Sequence, residues 1–164
     1  LPGLPARWGR GVFHCPYCHG FELDRGRIGV IATGPESLHP ALLLPEWGRV
    51  TFYANGALTL GADERNRLAD RGVALDTAPV VAIEERATVV LADGRREAFD
   101  GLFTASRTEP ASPLAQQLGC AHETTPLARY VRTNAMKETT VPSASAAQRY
   151  VVSPTLSRIC PAAS

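Results

Sequence analysis

The residues of this chain whose types and spacing could do chemistry are two cysteines, Cys15 and Cys18, flanked by His14 and His19. A Cys-x-x-Cys pair can act as a redox dithiol, in which a helix start or a nearby cation lowers the pKa of one thiol and supplies the attacking thiolate. The string Cys-x-x-Cys-His is also the attachment signature of c-type haem. Four nitrogen and sulfur donors could instead hold zinc.

The rest of the sequence favours the redox dithiol. A structural zinc site recruits a second ligand pair at short spacing, whereas Cys120 and Cys160 each stand alone. Haem attachment needs a path of export and a second axial ligand. The plausible donors for that ligand are Met136 and His39. We therefore predict no metal site. We expect a reversible disulfide within the Cys-x-x-Cys pair and a buried, inert Cys120.

Composition limits the classes of function. With 164 residues, 45% hydrophobic and 20% charged, the chain can form one ordinary domain or one domain and part of a second. A net charge of +1 gives no electrostatic case for binding nucleic acid or a membrane surface. Four unevenly spaced cysteines are too few for a secreted disulfide framework, so we expect a cytoplasmic protein.

The order of predicted elements is that of an α/β fold. A β-branched run, a helical segment and a second β-type run form one strand-helix-strand unit, which is typical of a Rossmann-like nucleotide-binding domain. Three short β-type runs then predict a small antiparallel β-meander, with Asp93-Gly94 at one of its turns. The predicted strands are 27–33, 49–54, 73–76, 80–83, 88–91, 97–99, 101–105 and 130–132, and the predicted helices are 36–47, 61–72 and 112–118.

The first strand-to-helix loop is where such folds place a phosphate. Of the Gly-x-Gly-x-x-Gly fingerprint it keeps the middle glycine, Gly34, and its candidate cofactor-binding residues are Thr33, Gly34 and Ser37. Glu36 would place a carboxylate near the incoming phosphates. After the second strand, Asn55 stands where an acidic residue would bind a ribose. We therefore expect NAD(P)H binding to be weak or absent.

Four blocks of the sequence, taken in order, resemble the thioredoxin-reductase type of FAD-dependent pyridine-nucleotide disulfide oxidoreductases. The most specific block contains Cys-Pro-Tyr-Cys-His-Gly-Phe-Glu. Within the family, the likeness points to the bacterial thioredoxin-reductase-like branch that includes dithiol oxidases. The blocks are residues 9–22, 27–34, 99–103 and 132–142.

The resemblance implies roles and partners. Cys18 would face the flavin, Cys15 would exchange with a substrate disulfide or dithiol, and His19 would be the acid/base residue. FAD is the cofactor of the complete family enzyme, and a homodimer is compatible with the family. The implied domains are a linker (1–12), an NAD(P)-binding-type domain (13–103), a partial FAD-domain segment (104–142) and an irregular tail (143–164).

The sequence also departs from the family. The glycine-rich loop of the first FAD-binding half has no counterpart in residues 1–164, and the family's Gly-x-x-x-Ala-x-Gly-Asp segment is replaced after Pro142 by an unrelated tail. A reading-frame shift or a truncated gene would produce such a change. We expect that the chain alone does not bind FAD and that its partner is a complementing FAD-binding chain. The alternative is a stand-alone or degenerate α/β binding module without flavin chemistry.

Overall fold

The computed structural model describes residues 1–125, 127–142, 144–146 and 150–153. They form two compact units, one over residues 1–105 and one that begins at Ser106. Most of the predicted irregular tail, and Cys160 with it, lies outside the described residues. No helix in the described part is both long and apolar enough to cross a membrane.

The first unit is built on a five-stranded sheet with strand order β1-β8-β2-β3-β4, in which every neighbouring pair is parallel. The central strands are rich in apolar residues because both of their faces are covered. The elements are α1 (Leu4–Arg7), β1 (Val12–Phe13), α2 (Pro16–His19), β2 (Arg27–Ile31), α3 (Leu38–Leu43), β3 (Arg49–Tyr53), α4 (Ala62–Asp70), β4 (Ala74–Asp76), β5 (Val80–Glu84), β6 (Thr88–Leu91), β7 (Arg96–Ala98) and β8 (Gly101–Thr104).

The core of this unit lies on the two faces of the parallel sheet. Since successive strand residues point to opposite faces, Phe103 packs with the side chains of α3 and α4, whereas Leu102 packs with the meander. The meander is the antiparallel sheet β5-β6-β7. Both the Rossmann-like α/β class and the inserted meander are therefore confirmed.

The amino-terminal segment is more structured than its linker-like composition suggests. Residues 4–7 form α1, Leu4 is fully buried in the core, and the Ile83 N–H donates to the Pro2 carbonyl at 2.9 Å. The segment therefore packs against the meander through Pro2 and Leu4. That it also links two domains stays a prediction.

A cluster of charges joins the meander to the parallel sheet. Arg95, in the turn between β6 and β7, donates to Asp76 at the end of β4 (2.7 Å) and to Asp93 (2.8 Å). The hydrogen bond from Arg95 holds the pKa of the Asp76 carboxyl below its usual value. Because the unfolded carboxyl then takes up protons first as the pH falls, this stabilisation is complete above about pH 5 and is lost at lower pH.

Arg95→Gln should therefore lower the free energy of unfolding at pH 7 and have a smaller effect near pH 2.5. Urea unfolding followed by circular dichroism at both pH values measures this difference. Arg71→Gln, which removes the exposed ion pair between Arg71 and Glu46, is the control and should change little. An equal loss of stability from Arg95→Gln at both pH values would contradict the stabilising role of the Arg95–Asp76 pair.

The second unit consists of short antiparallel pairs. β10 pairs with β11, and β12 pairs with β9. The predicted helix near 112–118 and strand near 130–132 are both present, whereas β9, β10 and β12 have no clear signal in the sequence. The elements are β9 (Arg107–Pro110), α5 (Leu114–Gln117), β10 (His122–Thr124), β11 (Arg129–Val131) and β12 (Tyr150–Ser153).

Candidate dithiol site

A single helical turn holds the two cysteines together. β1 ends at Phe13, Cys15 is the N-cap of α2, and Pro16 occupies the first helical position, where its fixed φ favours the helix and its missing N–H costs nothing. The Cys18 N–H donates to the Cys15 carbonyl at 3.2 Å. The backbone therefore brings both side chains to the same turn.

The two thiols interact directly. Both are free, Cys15 is half-buried and Cys18 is exposed. A hydrogen bond to the Cys15 side chain, followed by burial and by the charge of Cys15, raises the pKa of the Cys18 thiol. The lowered pKa that the sequence predicts for one thiol of the pair stays a prediction.

The His19 ring is supported by aromatic packing. It stacks on Phe13 with a centroid distance of 4.3 Å and an interplanar angle of 15°, and Phe13 in turn contacts the buried Phe103 at 5.8 Å. Its Nδ1 is buried and has no hydrogen-bond partner among the described residues. The stack holds the plane of the imidazole, and the part of His19 in proton transfer stays a prediction.

His14 precedes the cysteine pair in the sequence. It is exposed and stacks on Trp8 at 6.0 Å. Partial burial, and then the nearby His19, lower its pKa. In the described part of the chain no three His, Cys, Asp or Glu side chains are placed to hold a metal ion.

A tryptophan from a distant part of the chain supports the turn. The ring of Tyr17, which is 68% exposed, meets Trp47 edge-on at 6.2 Å. A Cβ on Gly20 would lie 2.5 Å from Trp47 Cε3 and 2.7 Å from the Pro16 carbonyl, so the close approach requires glycine. Trp47 and Phe13 are supports that the local motif does not reveal, because tertiary packing brings them to it.

The predicted cofactor-binding residues also come together, in the loop between β2 and α3. The Thr33 N–H donates to Ser37 Oγ at 3.0 Å, and Ser37 is 1% exposed. The Thr33 hydroxyl donates to Glu36 Oε1 at 3.1 Å. The polar groups of these three residues, Thr33, Glu36 and Ser37, are therefore hydrogen-bonded to one another. Cofactor binding by Thr33, Gly34 and Ser37 stays a prediction.

The chain is similar in fold and in sequence to known oxidoreductases. An oxidoreductase from Agrobacterium tumefaciens has a TM-score of 0.81 and 48% identity, covering 87% of this chain and 48% of its own. An atypical thioredoxin reductase from Desulfovibrio vulgaris Hildenborough has a TM-score of 0.59 and 26% identity, covering 86% and 48% of the two chains. A thioredoxin reductase of Aspergillus oryzae is 32% identical over 123 residues, which are 67% of this chain and 39% of that protein.

The chain thus has the fold of thioredoxin-reductase-like oxidoreductases, and its sequence is related to theirs over the matched part. This confirms the resemblance expected from the sequence. No family model matches the chain. The chain spans about half the length of these solved structures and less than half of the fungal relative.

Proposed function

We propose that the chain is the dithiol-bearing part of a thioredoxin-reductase-like oxidoreductase and that Cys15 and Cys18 exchange electrons with a substrate disulfide or dithiol. The observation that carries this proposal is the pair of free thiols on one helical turn, with one thiol exposed. The relationship to proteins named as thioredoxin reductases supports it.

In the reducing direction, one thiolate attacks a sulfur of the substrate disulfide. The substrate S–S bond breaks, a mixed disulfide forms, and the released substrate sulfur takes up a proton. The second cysteine then attacks the protein sulfur of the mixed disulfide. The substrate leaves as a dithiol that has gained two electrons, and the protein is left as the Cys15–Cys18 disulfide. The reverse sequence oxidises a substrate dithiol.

The roles of the individual residues follow from the resemblance and from the geometry. We assign the first attack to Cys15, the thiol that the resemblance pairs with the substrate, and the raised pKa of the Cys18 thiol agrees with this order. In the described residues Cys18 is the more exposed of the two, which leaves it accessible to an electron partner. The Nε2 atom of His19 donates the proton to the leaving sulfur or accepts it in the reverse direction.

The FAD that the family implies does not fit the described residues. The glycine-rich loop by which the family holds FAD has no counterpart in residues 1–164, and the loop after β2 belongs to the NAD(P)-binding-type unit. No step is therefore assigned to a flavin here. We propose that FAD is held by a complementing FAD-binding chain or by the remainder of a longer protein. Homodimer formation and a cytoplasmic location stay predictions.

The proposal is tested on the full chain by redox titration. After equilibration in glutathione or dithiothreitol buffers, iodoacetamide labelling in denaturant with peptide mass spectrometry should show Cys15 and Cys18 protected together under oxidising conditions. Their midpoint should lie in the range of thioredoxin- and glutaredoxin-type pairs, about −200 to −270 mV. Cys120, which is buried, should be labelled throughout. Independent labelling of Cys15 and Cys18 would refute the proposal.

A further inference from the structure

The carboxylate of Glu36 covers the glycine that a nucleotide phosphate would approach. A Cβ built on Gly34 would lie 2.6 Å from Glu36 Oε2 and 2.8 Å from Oε1. The φ of Gly34 is 168°, which is extended backbone that any residue adopts. The space beside Gly34 is therefore taken by the chain's own carboxylate.

Hydrogen bonds hold this carboxylate in place. The Thr33 hydroxyl donates to Glu36 Oε1 at 3.1 Å and lies 3.4 Å from Ser37 Oγ. Ser37 Oγ also accepts the Thr33 N–H, a backbone donor of the kind that dinucleotide-binding loops offer to phosphate. The loop thus presents neither a free N–H at Thr33 nor open space at Gly34.

A second side chain occupies the place expected for ribose recognition. Asn55 follows β3, is 8% exposed and has a φ of 53°. Its Oδ1 accepts the Val80 N–H at 2.8 Å and its Nδ2 donates to the Ala32 carbonyl at 3.5 Å. Asn55 therefore ties the β2–α3 loop to β5, and its polar atoms face protein groups.

We infer that Glu36 and Asn55 are specificity-determining residues that exclude a pyridine dinucleotide from this Rossmann-like unit. Glu36 acts as an internal anion in the phosphate position, and its charge and its volume both oppose a pyrophosphate. Asn55 closes the ribose position. The electrons that pass through the dithiol are therefore not delivered by NAD(P)H bound at this loop. The inference does not depend on the dithiol chemistry, because nucleotide binding and thiol oxidation are measured separately.

Calorimetric titration of the full chain with NADPH and with ADP-ribose tests this inference. The wild-type chain should show no binding tighter than about 10 μM. Glu36→Ala should strengthen binding of both probes by roughly tenfold or more, since it opens the face of Gly34 and frees the Thr33 hydroxyl. Glu36→Gln keeps the side chain in place and should gain clearly less than Glu36→Ala.

Glu46→Ala is the matched control. Glu46 lies in the turn after α3, and its exposed carboxylate pairs with Arg71. The variant should bind no better than the wild-type chain. Circular dichroism verifies that each variant is folded, and Glu36→Ser replaces Glu36→Ala if the alanine variant is not. The inference is overturned if NADPH or ADP-ribose binds tightly to the wild-type chain, or if neither Glu36→Ala nor Glu36→Ser binds them more tightly than the wild-type chain. It is also overturned if Glu36→Gln gains as much affinity as Glu36→Ala.

Discussion

Replacing either Cys15 or Cys18 by serine should abolish reversible disulfide formation in this chain completely. The remaining thiol has no partner on the same turn, so oxidised glutathione should convert it to a stable mixed disulfide that the wild-type chain resolves. Peptide mass spectrometry after oxidation distinguishes the two products. The effect is all-or-none because closure needs both sulfurs.

Cys120→Ser is the matched control for these variants. Its thiol is buried and lies 3.6 Å from Thr139 Oγ1, in the unit that does not contain the dithiol. It should therefore leave the Cys15–Cys18 disulfide unchanged. A stable glutathione adduct on the wild-type chain, or closure that requires Cys120, would contradict the assignment of the redox pair.

Phe103→Ala should produce the largest loss of stability. Phe103 is fully buried in β8 and contacts Phe13, the ring on which His19 stacks. Truncating a buried phenylalanine costs about 3–5 kcal/mol in lost transfer free energy and in the cavity that remains. Urea unfolding followed by circular dichroism measures the change.

The chain provides a matched control in Phe21, which is 81% exposed. Phe21→Ala should alter the free energy of unfolding by no more than about 0.5 kcal/mol. Similar losses in the two variants would mean that the sheet does not pack as described. Phe103→Ala should also loosen the Phe13–His19 stack, which near-ultraviolet circular dichroism detects as a weakened aromatic signal below the unfolding transition.

The elements that the sequence predicts well are those with strong local patterns. The β-branched run of β2, the polar helix α4 and the Asp93-Gly94 turn are encoded within a few residues, and Gly94 adopts the positive φ, 88°, that this turn requires. The Cys-x-x-Cys motif likewise predicts two thiols held close together, and both lie on one helical turn. For these parts, periodicity and turn composition agree with the final packing.

The parts that the sequence does not predict depend on contacts between distant residues. β1 is two residues long and exists because it pairs with β8, about 90 positions away. The raised pKa at Cys18 depends on the neighbouring thiol, and the support from Trp47 depends on packing. The sequence predicts that Glu36 repels a phosphate, but the hydrogen bond that Glu36 accepts from Thr33 is visible only in the structure.

The pairing of β1 with β8 has a consequence for how this unit could be carried within a larger protein. Val12 lies opposite Leu102 and Phe13 opposite Phe103, so the first and last strands of the parallel sheet are neighbours. A unit whose first and last strands are neighbours can interrupt a host domain without forcing the two halves of that host far apart. In its topology, the dithiol-bearing unit is thus suited to be an insertion.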